Sequence, residues 1–254
     1  MDPLLKDKNL IVTGGASGMG RSGAELFARH GANVVVADIN GDGAKAVAAE
    51  IQSAGGVAQP FEYDATSSEA SKALVDFCVD SYGGLHGAWA NAGLAAPFSA
   101  IEDYDEDLLD RLMAVNIKGP WLLAKHSIGP LAQTSGSFLI TASLSGLKGR
   151  ANHSGYQAAK GGAVMLTRAL AKEFAPRGVR ANSLCPVAAD TPMLPLFVPE
   201  DAAELMDRDQ LQAGIPMGRL ATADDVAQAA LFFLSDLSTF VTGVTMPIDG
   251  GTAA

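Results

Sequence analysis

The sequence has 254 residues, 48% of them hydrophobic and 28 of them glycine, enough for one large domain over residues 1–254 with a buried core, and its composition excludes disorder. Its 18 basic and 28 acidic side chains leave a formal charge of −10, which disfavours nucleic acid and anionic lipid as partners and favours a neutral or apolar small molecule, though a local basic pocket stays compatible with it. Two cysteines (Cys78, Cys185), four scattered histidines (His30, His86, His126, His153), no leader in MDPLLKDKNL and no membrane-length apolar run argue against disulfides, metal sites and membrane insertion, so a cytoplasmic setting is expected.

In chain order, short β-rich runs alternate with longer alanine-rich segments, the rhythm of β-α-β units around a parallel sheet. A first strand, Asn9–Val12, runs into Thr13-Gly14-Gly15-Ala16-Ser17-Gly18-Met19-Gly20, and helical spacing over 18–30 follows at once. Glycines there let a pyrophosphate come close to the backbone, and the helix N-terminus offers free N–H groups and a positive dipole end. The second strand, Asn33–Ala37, ends at Asp38, where a carboxylate can bond both ribose hydroxyls and repel a 2′-phosphate. No Arg or Lys stands at Ser17, Ile39 or Asn40 to receive such a phosphate, so NAD is favoured over NADP; the alternative is that Asp38 only starts a turn before Asn40-Gly41.

Helical spacing over 41–54 and 67–82 brackets a strand at Val57–Glu62, and a fourth strand follows at Gly87–Ala90. A helix over 105–127 carries Asn116, and a fifth strand, Ser137–Thr141, is followed by Ser143. In the helix over 154–175, Tyr156 and Lys160 emerge on one face a turn apart. Its small residues Ala158, Ala159, Gly161, Gly162 and Ala163 suit either internal packing or a helix contact between subunits. Strands at Arg180–Leu184 and Val244–Pro247, with a helix over 223–235 between them, complete seven strands. The five prolines from Pro186 to Pro216, with the apolar group Met193, Leu194, Leu196, Phe197 and Val198, predict an irregular lid over about 187–216.

Together these residues resemble the short-chain dehydrogenase/reductase family along nearly the whole chain. The likeness rests on the turn at 13–20, Asn91-Ala92-Gly93 after the fourth strand, Asn116, Ser143, Tyr156 with Lys160, Pro186 with Thr191, and a closing Asp249-Gly250-Gly251. It implies an α/β fold of the Rossmann type: a doubly wound, seven-stranded parallel sheet with helices on both faces. It implies an NAD-dependent oxidoreductase that interconverts a secondary alcohol and a ketone by hydride transfer. Tyr156 would be the acid/base, Ser143 would hold and polarise the substrate oxygen, Lys160 would lower the phenol's pKa and bond the nicotinamide ribose, and Asn116 would carry a water that relays protons. The cofactor would meet Gly14, Ser17, Gly18, Met19, Gly20, Asp38, Ile39, Asp64, Ala65, Asn91, Ala92, Gly93, Tyr156, Lys160, Pro186, Val187 and Thr191. Asp64 would contact the adenine, although a plain turn role is equally open. The same resemblance suggests a homotetramer paired through helices near 105–127 and 154–175.

Two departures from the family pattern stand out. Val187 follows Pro186 where the family has glycine, which adds bulk beside the nicotinamide and excludes positive φ. Ala90 stands where the family has a first asparagine before Asn91. A largely apolar substrate pocket is expected from Leu94, Ala95, Pro97, Phe98, Leu144 and Leu147 with Val187, Met193 and Phe197, beside Ser143 and Tyr156, which points to a hydrophobic, cyclic or aromatic substrate. The alternatives are reduction of 3-oxoacyl thioesters on acyl carrier protein, and a nucleotide-binding subunit without catalysis.

Overall fold

A computed structural model describes residues 3–198 and 208–254. Its sheet runs β3-β2-β1-β4-β5-β6-β7, all parallel, from β1 (Asn9–Thr13), β2 (Asn33–Asp38), β3 (Val57–Glu62), β4 (Gly87–Ala90), β5 (Ser137–Thr141), β6 (Arg180–Pro186) and β7 (Thr245–Ile248). Because helices cover both faces, the central strands are apolar almost without alternation, and β1 and β4 are buried at every position.

The helices are α1 (Gly18–Arg29), α2 (Gly41–Ser53), α3 (Ser68–Tyr82), α4 (Glu106–Met113), α5 (Gly119–Thr134), α6 (Ser154–Phe174), α7 (Arg208–Ala213) and α8 (Ala223–Leu234). Leu10 and Val12 face one core, built with Phe27 of α1, Val47 of α2 and Phe233 of α8. Ile11 and Val35 face the other, with Leu74 of α3, Leu123 of α5 and Phe174 of α6. Each such fully buried side chain contributes roughly 1.5–3 kcal/mol by leaving water. On the first face α1 lies close against the sheet, because Gly23 has no side chain where a Cβ would run into the Trp89 ring.

Polar side chains set the helix starts. Asn40 accepts from the Gly43 N–H (3.0 Å) to begin α2, and Ser67 accepts from the Ala70 N–H (3.1 Å) to begin α3. Thr222 and Asp225 exchange the reciprocal bonds of a capping box at α8. Strand order reverses direction at β1 and β4, and this switch opens a crevice beyond the carboxyl ends of the strands.

Most boundaries match the sequence to within one residue, and the exceptions have local causes. The helix expected over 105–127 extends to Thr134 and is interrupted by a π turn at Ala114–Lys118, even though Pro120 and Pro130 lie beyond it. Pro120 falls within the first turn of α5, where its missing N–H costs nothing. Strand β6 continues two residues past the expected Leu184, because Pro186 lies beside Ile248 and the Val187 N–H bonds the Ile248 carbonyl (3.1 Å). The expected irregular lid holds a 3-10 turn at Leu194–Phe197 and the short helix α7, while its portion over 199–207 lies outside the described residues. No helix among the described residues is long and apolar enough to cross a membrane, and among them no three His, Cys, Asp or Glu side chains are grouped to hold a metal.

Candidate active site

The carboxyl ends of β1, β2, β4, β5 and β6 border a cleft of about 890 Å³. Thr13, the last residue of β1, ties the cleft's floor together: its hydroxyl donates to the Trp89 carbonyl (3.3 Å) and accepts from the Asn91 and Ala92 N–H groups (3.0 Å each). The Asn91 amide in turn donates to the Thr13 carbonyl (3.1 Å). The turn beyond Thr13 needs glycine at Gly14 (φ 65°) and Gly18 (φ 50°), and at Gly20 a Cβ would strike the Gly14 carbonyl. Ser17 at the start of α1 makes no capping bond with its side chain. The turn is therefore a bare-backbone cradle at a helix N-terminus, which fits a pyrophosphate.

At the tip of β2 the two Asp38 oxygens accept from the Ala16 N–H (3.0 Å) and the Asn40 N–H (2.9 Å). The carboxylate is thereby held facing the cleft next to the turn, and Ile39 beside it is 74% exposed. Lining cations occur only at Lys148, Arg150 and Lys160 among the described residues, and none belongs to the turn or the β2 tip. Asp64 bonds the Thr66 N–H and hydroxyl (2.8 Å each), so it forms a turn and lines the cleft as well.

Of the residues expected to bind cofactor, all but Gly20 line this cleft; Gly20 acts one layer behind by letting α1 approach the turn. Val187 has no positive φ, as its β-branched side chain requires, and packs against Leu194, Ile215 and Leu220. Leu94, Leu144, Val187, Met193 and Phe197 line the cleft, as does Phe98. Ala95, Pro97 and Leu147 do not: Ala95 is buried away from it, and Leu147 is exposed.

Ser143, Tyr156 and Lys160 converge on one wall. Ser143 follows β5 and starts a 3-10 turn, its Oγ accepting from the Ser145 N–H (3.1 Å). Lys160 is 4% exposed, donates from Nζ to the Thr141 carbonyl (2.8 Å) and lies 5.8 Å from the centre of the Tyr156 ring. Burial holds its pKa down at about 8. Burial likewise pushes the Tyr156 phenol up to about 12, with the Ser143 hydroxyl pulling the other way. Asn116 sits in the π turn and is buried behind the cleft, where its side chain clamps Leu94, accepting from its N–H and donating to its carbonyl (2.9 Å each). A Cβ on Gly93 would lie 3.2 Å from Asn116 Oδ1 and 3.6 Å from Lys160 Nζ, so this glycine lets the two come together. Each polar end of Asn116 makes one bond to Leu94, and the widened turn loosens its backbone from regular helix bonding.

One residue of this wall was not singled out by sequence. His153, 3% exposed, stacks on Tyr156 with ring centres 4.8 Å apart and planes 12° from parallel. Phe197 meets both rings edge-on, at 5.8 and 5.2 Å. Burial, then the nearby Arg150 charge, hold the His153 pKa down at about 4 against an opposing pull from the Ala96 backbone, so the ring is neutral. Its place three residues before Tyr156, one helical turn away, is the sequence signal for this position.

Against this geometry, the sequence matches the family described as Enoyl-(Acyl carrier protein) reductase over residues 14–253. It is 38% identical, over 98% of both chains, to 2,5-dichloro-2,5-cyclohexadiene-1,4-diol dehydrogenase of Sphingobium indicum. It is 36% identical to cyclohexanol dehydrogenase of an Acinetobacter species, over 98% of this chain and 96% of that one. Among solved structures, 3-ketoacyl-(acyl-carrier-protein) reductase from Brucella melitensis, complexed with NADH, superposes with a TM-score of 0.91 at 33% identity, covering 98% of this chain and all of that one.

Proposed function

The chain belongs to the short-chain dehydrogenase/reductase family of oxidoreductases, and from that premise we propose that it oxidises a cyclic secondary alcohol, or reduces the matching ketone, with NAD and with Tyr156 as acid/base. The observation that carries the reading is the convergence of Ser143, Tyr156 and Lys160 at the end of the cleft that also holds the glycine turn and Asp38. Bound along that cleft, the nicotinamide supplies the hydride acceptor for oxidation or the hydride donor for reduction.

The chain's own residues manage the proton. In the protein alone the phenol is protonated at neutral pH, because burial holds its pKa at about 12. That state is the one needed to donate a proton to the oxygen of a ketone. For oxidation the phenol must lose its proton near neutrality, a shift of several units at about 1.4 kcal/mol each. The Lys160 ammonium, charged below a pH of about 8, supplies part of that shift. Ser143 holds the substrate oxygen beside the phenol. Asn116, by fixing Leu94, keeps the loop after β4 in place, and its backbone offers the site for the relay water.

Asp38 favours NAD, since a 2′-phosphate would approach a carboxylate with no lining cation nearby. Leu94, Leu144, Val187, Met193 and Phe197 give the pocket its apolar character, which suits a ring, and the two relatives named for cyclic alcohols agree with that choice. A cytoplasmic homotetramer is part of the same proposal. Exposed Trp121 on α5 and Met165 on α6 are apolar surface on the two elements that would pair.

Initial rates with cyclohexanol and each of NAD and NADP test the reading. Turnover with NAD and little with NADP is the expected result. Faster turnover of an acetoacetyl thioester with NADPH would instead support the thioester reductase named among the solved structures. Tight NADH binding with no turnover of any alcohol would support a non-catalytic subunit.

A further inference from the structure

Among the described residues, the substrate end of the cleft is lined by cations, opposite in sign to the chain's formal charge of −10. The acidic residues that line the cleft among those described are Asp38 and Asp64, beyond β2 and β3, whereas the loop leading into α6 presents Lys148 and Arg150. Lys148 is engaged, its Nζ donating to the Thr252 carbonyl at 2.6 Å. Arg150 forms no ion pair among the described residues; its guanidinium carbon lies over the Phe98 ring, 4.4 Å from the centre. A guanidinium over a ring face can still present N–H donors to a carboxylate, and the ring beneath restricts its motion.

Arg150 is also linked to the reacting group. The Phe98 ring is 4.5 Å from that of His153 and tilted 44° to it, and His153 stacks on Tyr156 at 4.8 Å, so cation and phenol are connected through two rings in contact. The backbone is bent to make this arrangement. Asn152 takes a left-handed conformation (φ 61°) between the exposed Arg150 and the buried His153, and its carbonyl accepts from the Ser99 N–H at 2.8 Å.

We propose that the substrate is a ring alcohol or ketone bearing an anionic group, a carboxylate in the simplest case, which Arg150 receives at the mouth of the cleft while the reacting carbon lies at Tyr156. This rests on the proposed placing of the reaction at Tyr156 and Ser143. The apolar wall then meets the ring body, and Arg150, which has no ion pair among the described residues, meets its charged end.

Protein saturated with NADH is titrated calorimetrically with cyclohexanecarboxylate and with its neutral isostere cyclohexanecarboxamide. The carboxylate is expected to bind about tenfold more tightly, with the preference shrinking as salt is raised. Arg150→Gln should abolish the preference and Arg150→Lys should keep part of it. Equal binding of the two compounds, no binding of the carboxylate, or a preference that survives Arg150→Gln overturns the proposal. NADH uptake is followed by fluorescence in the same samples, so a failure of the broader functional reading is told apart from a failure at Arg150.

Discussion

Replacing Lys160 with methionine keeps most of the side chain's length and removes its charge. The ammonium lies 5.8 Å from the centre of the Tyr156 ring; with the phenolate charge placed at the ring centre and an effective dielectric constant of about 20, the Coulomb attraction is about 3 kcal/mol, or roughly two pKa units. Lys160 has its pKa at about 8, so the wild-type side chain is charged at neutral pH and the variant loses the whole attraction there. In alcohol oxidation the acid limb of kcat/KM reports ionisation of the base. That limb should move up by about two units in Lys160→Met, with the rate at pH 7 falling by about 100-fold. The two profiles should draw together at high pH, where the phenol of either protein is ionised. Initial rates taken across the range at saturating NAD give the profile. A uniform drop with the limb unmoved would show that Lys160 acts only by holding cofactor, and the electrostatic reasoning would be refuted.

The same variant has a stability signature. The Lys160 pKa falls from 10.5 to about 8 on folding, so its charge is a cost felt in full below 8 and relieved as pH rises towards 10.5. Urea unfolding should show the stability of wild type relative to Lys160→Met climbing by about 3 kcal/mol across that window, and a flat difference would contradict the burial argument. Gly23→Ala drives a methyl group into the Trp89 ring and should lower stability by about 1–3 kcal/mol, read as a fall in Tm. An unchanged Tm would mean that α1 does not sit so close to β4. Asp38→Ala removes the carboxylate at the β2 tip, and the ratio of kcat/KM for NAD to that for NADP should fall by about tenfold or more; a constant ratio would assign Asp38 to the turn alone.

Much of the architecture was legible because the relevant signals are local. Strands such as Asn33–Asp38 are short valine-rich runs between glycine and Asn/Asp turns, and the phosphate turn declares itself by glycines that allow close approach and positive φ. Tyr156 and Lys160 were legible through helical spacing, and the structure brings both to the cleft. What stayed hidden depends on contacts distant in sequence. The π turn at Asn116 follows from a clamp on Leu94, 22 residues away, which no periodicity reports. The stack of Phe98, His153, Tyr156 and Phe197 joins three separate segments, so a buried neutral imidazole could not be told from a solvated one by sequence. Pocket assignments for Ala95, Pro97 and Leu147 missed because the direction of a loop side chain is set by tertiary packing, whereas neighbouring Leu94 and Phe98 do face the cleft.

Tyr156→Phe puts the proton-transfer claim to its most direct test, since it leaves the ring free to stack on His153 and deletes only the hydroxyl. NADH affinity should be kept, while turnover of cyclohexanol falls by about a thousandfold across the pH range. A variant that still turned over at more than about a tenth of the wild-type rate, with a normal pH profile, would mean that the proton leaves by another route.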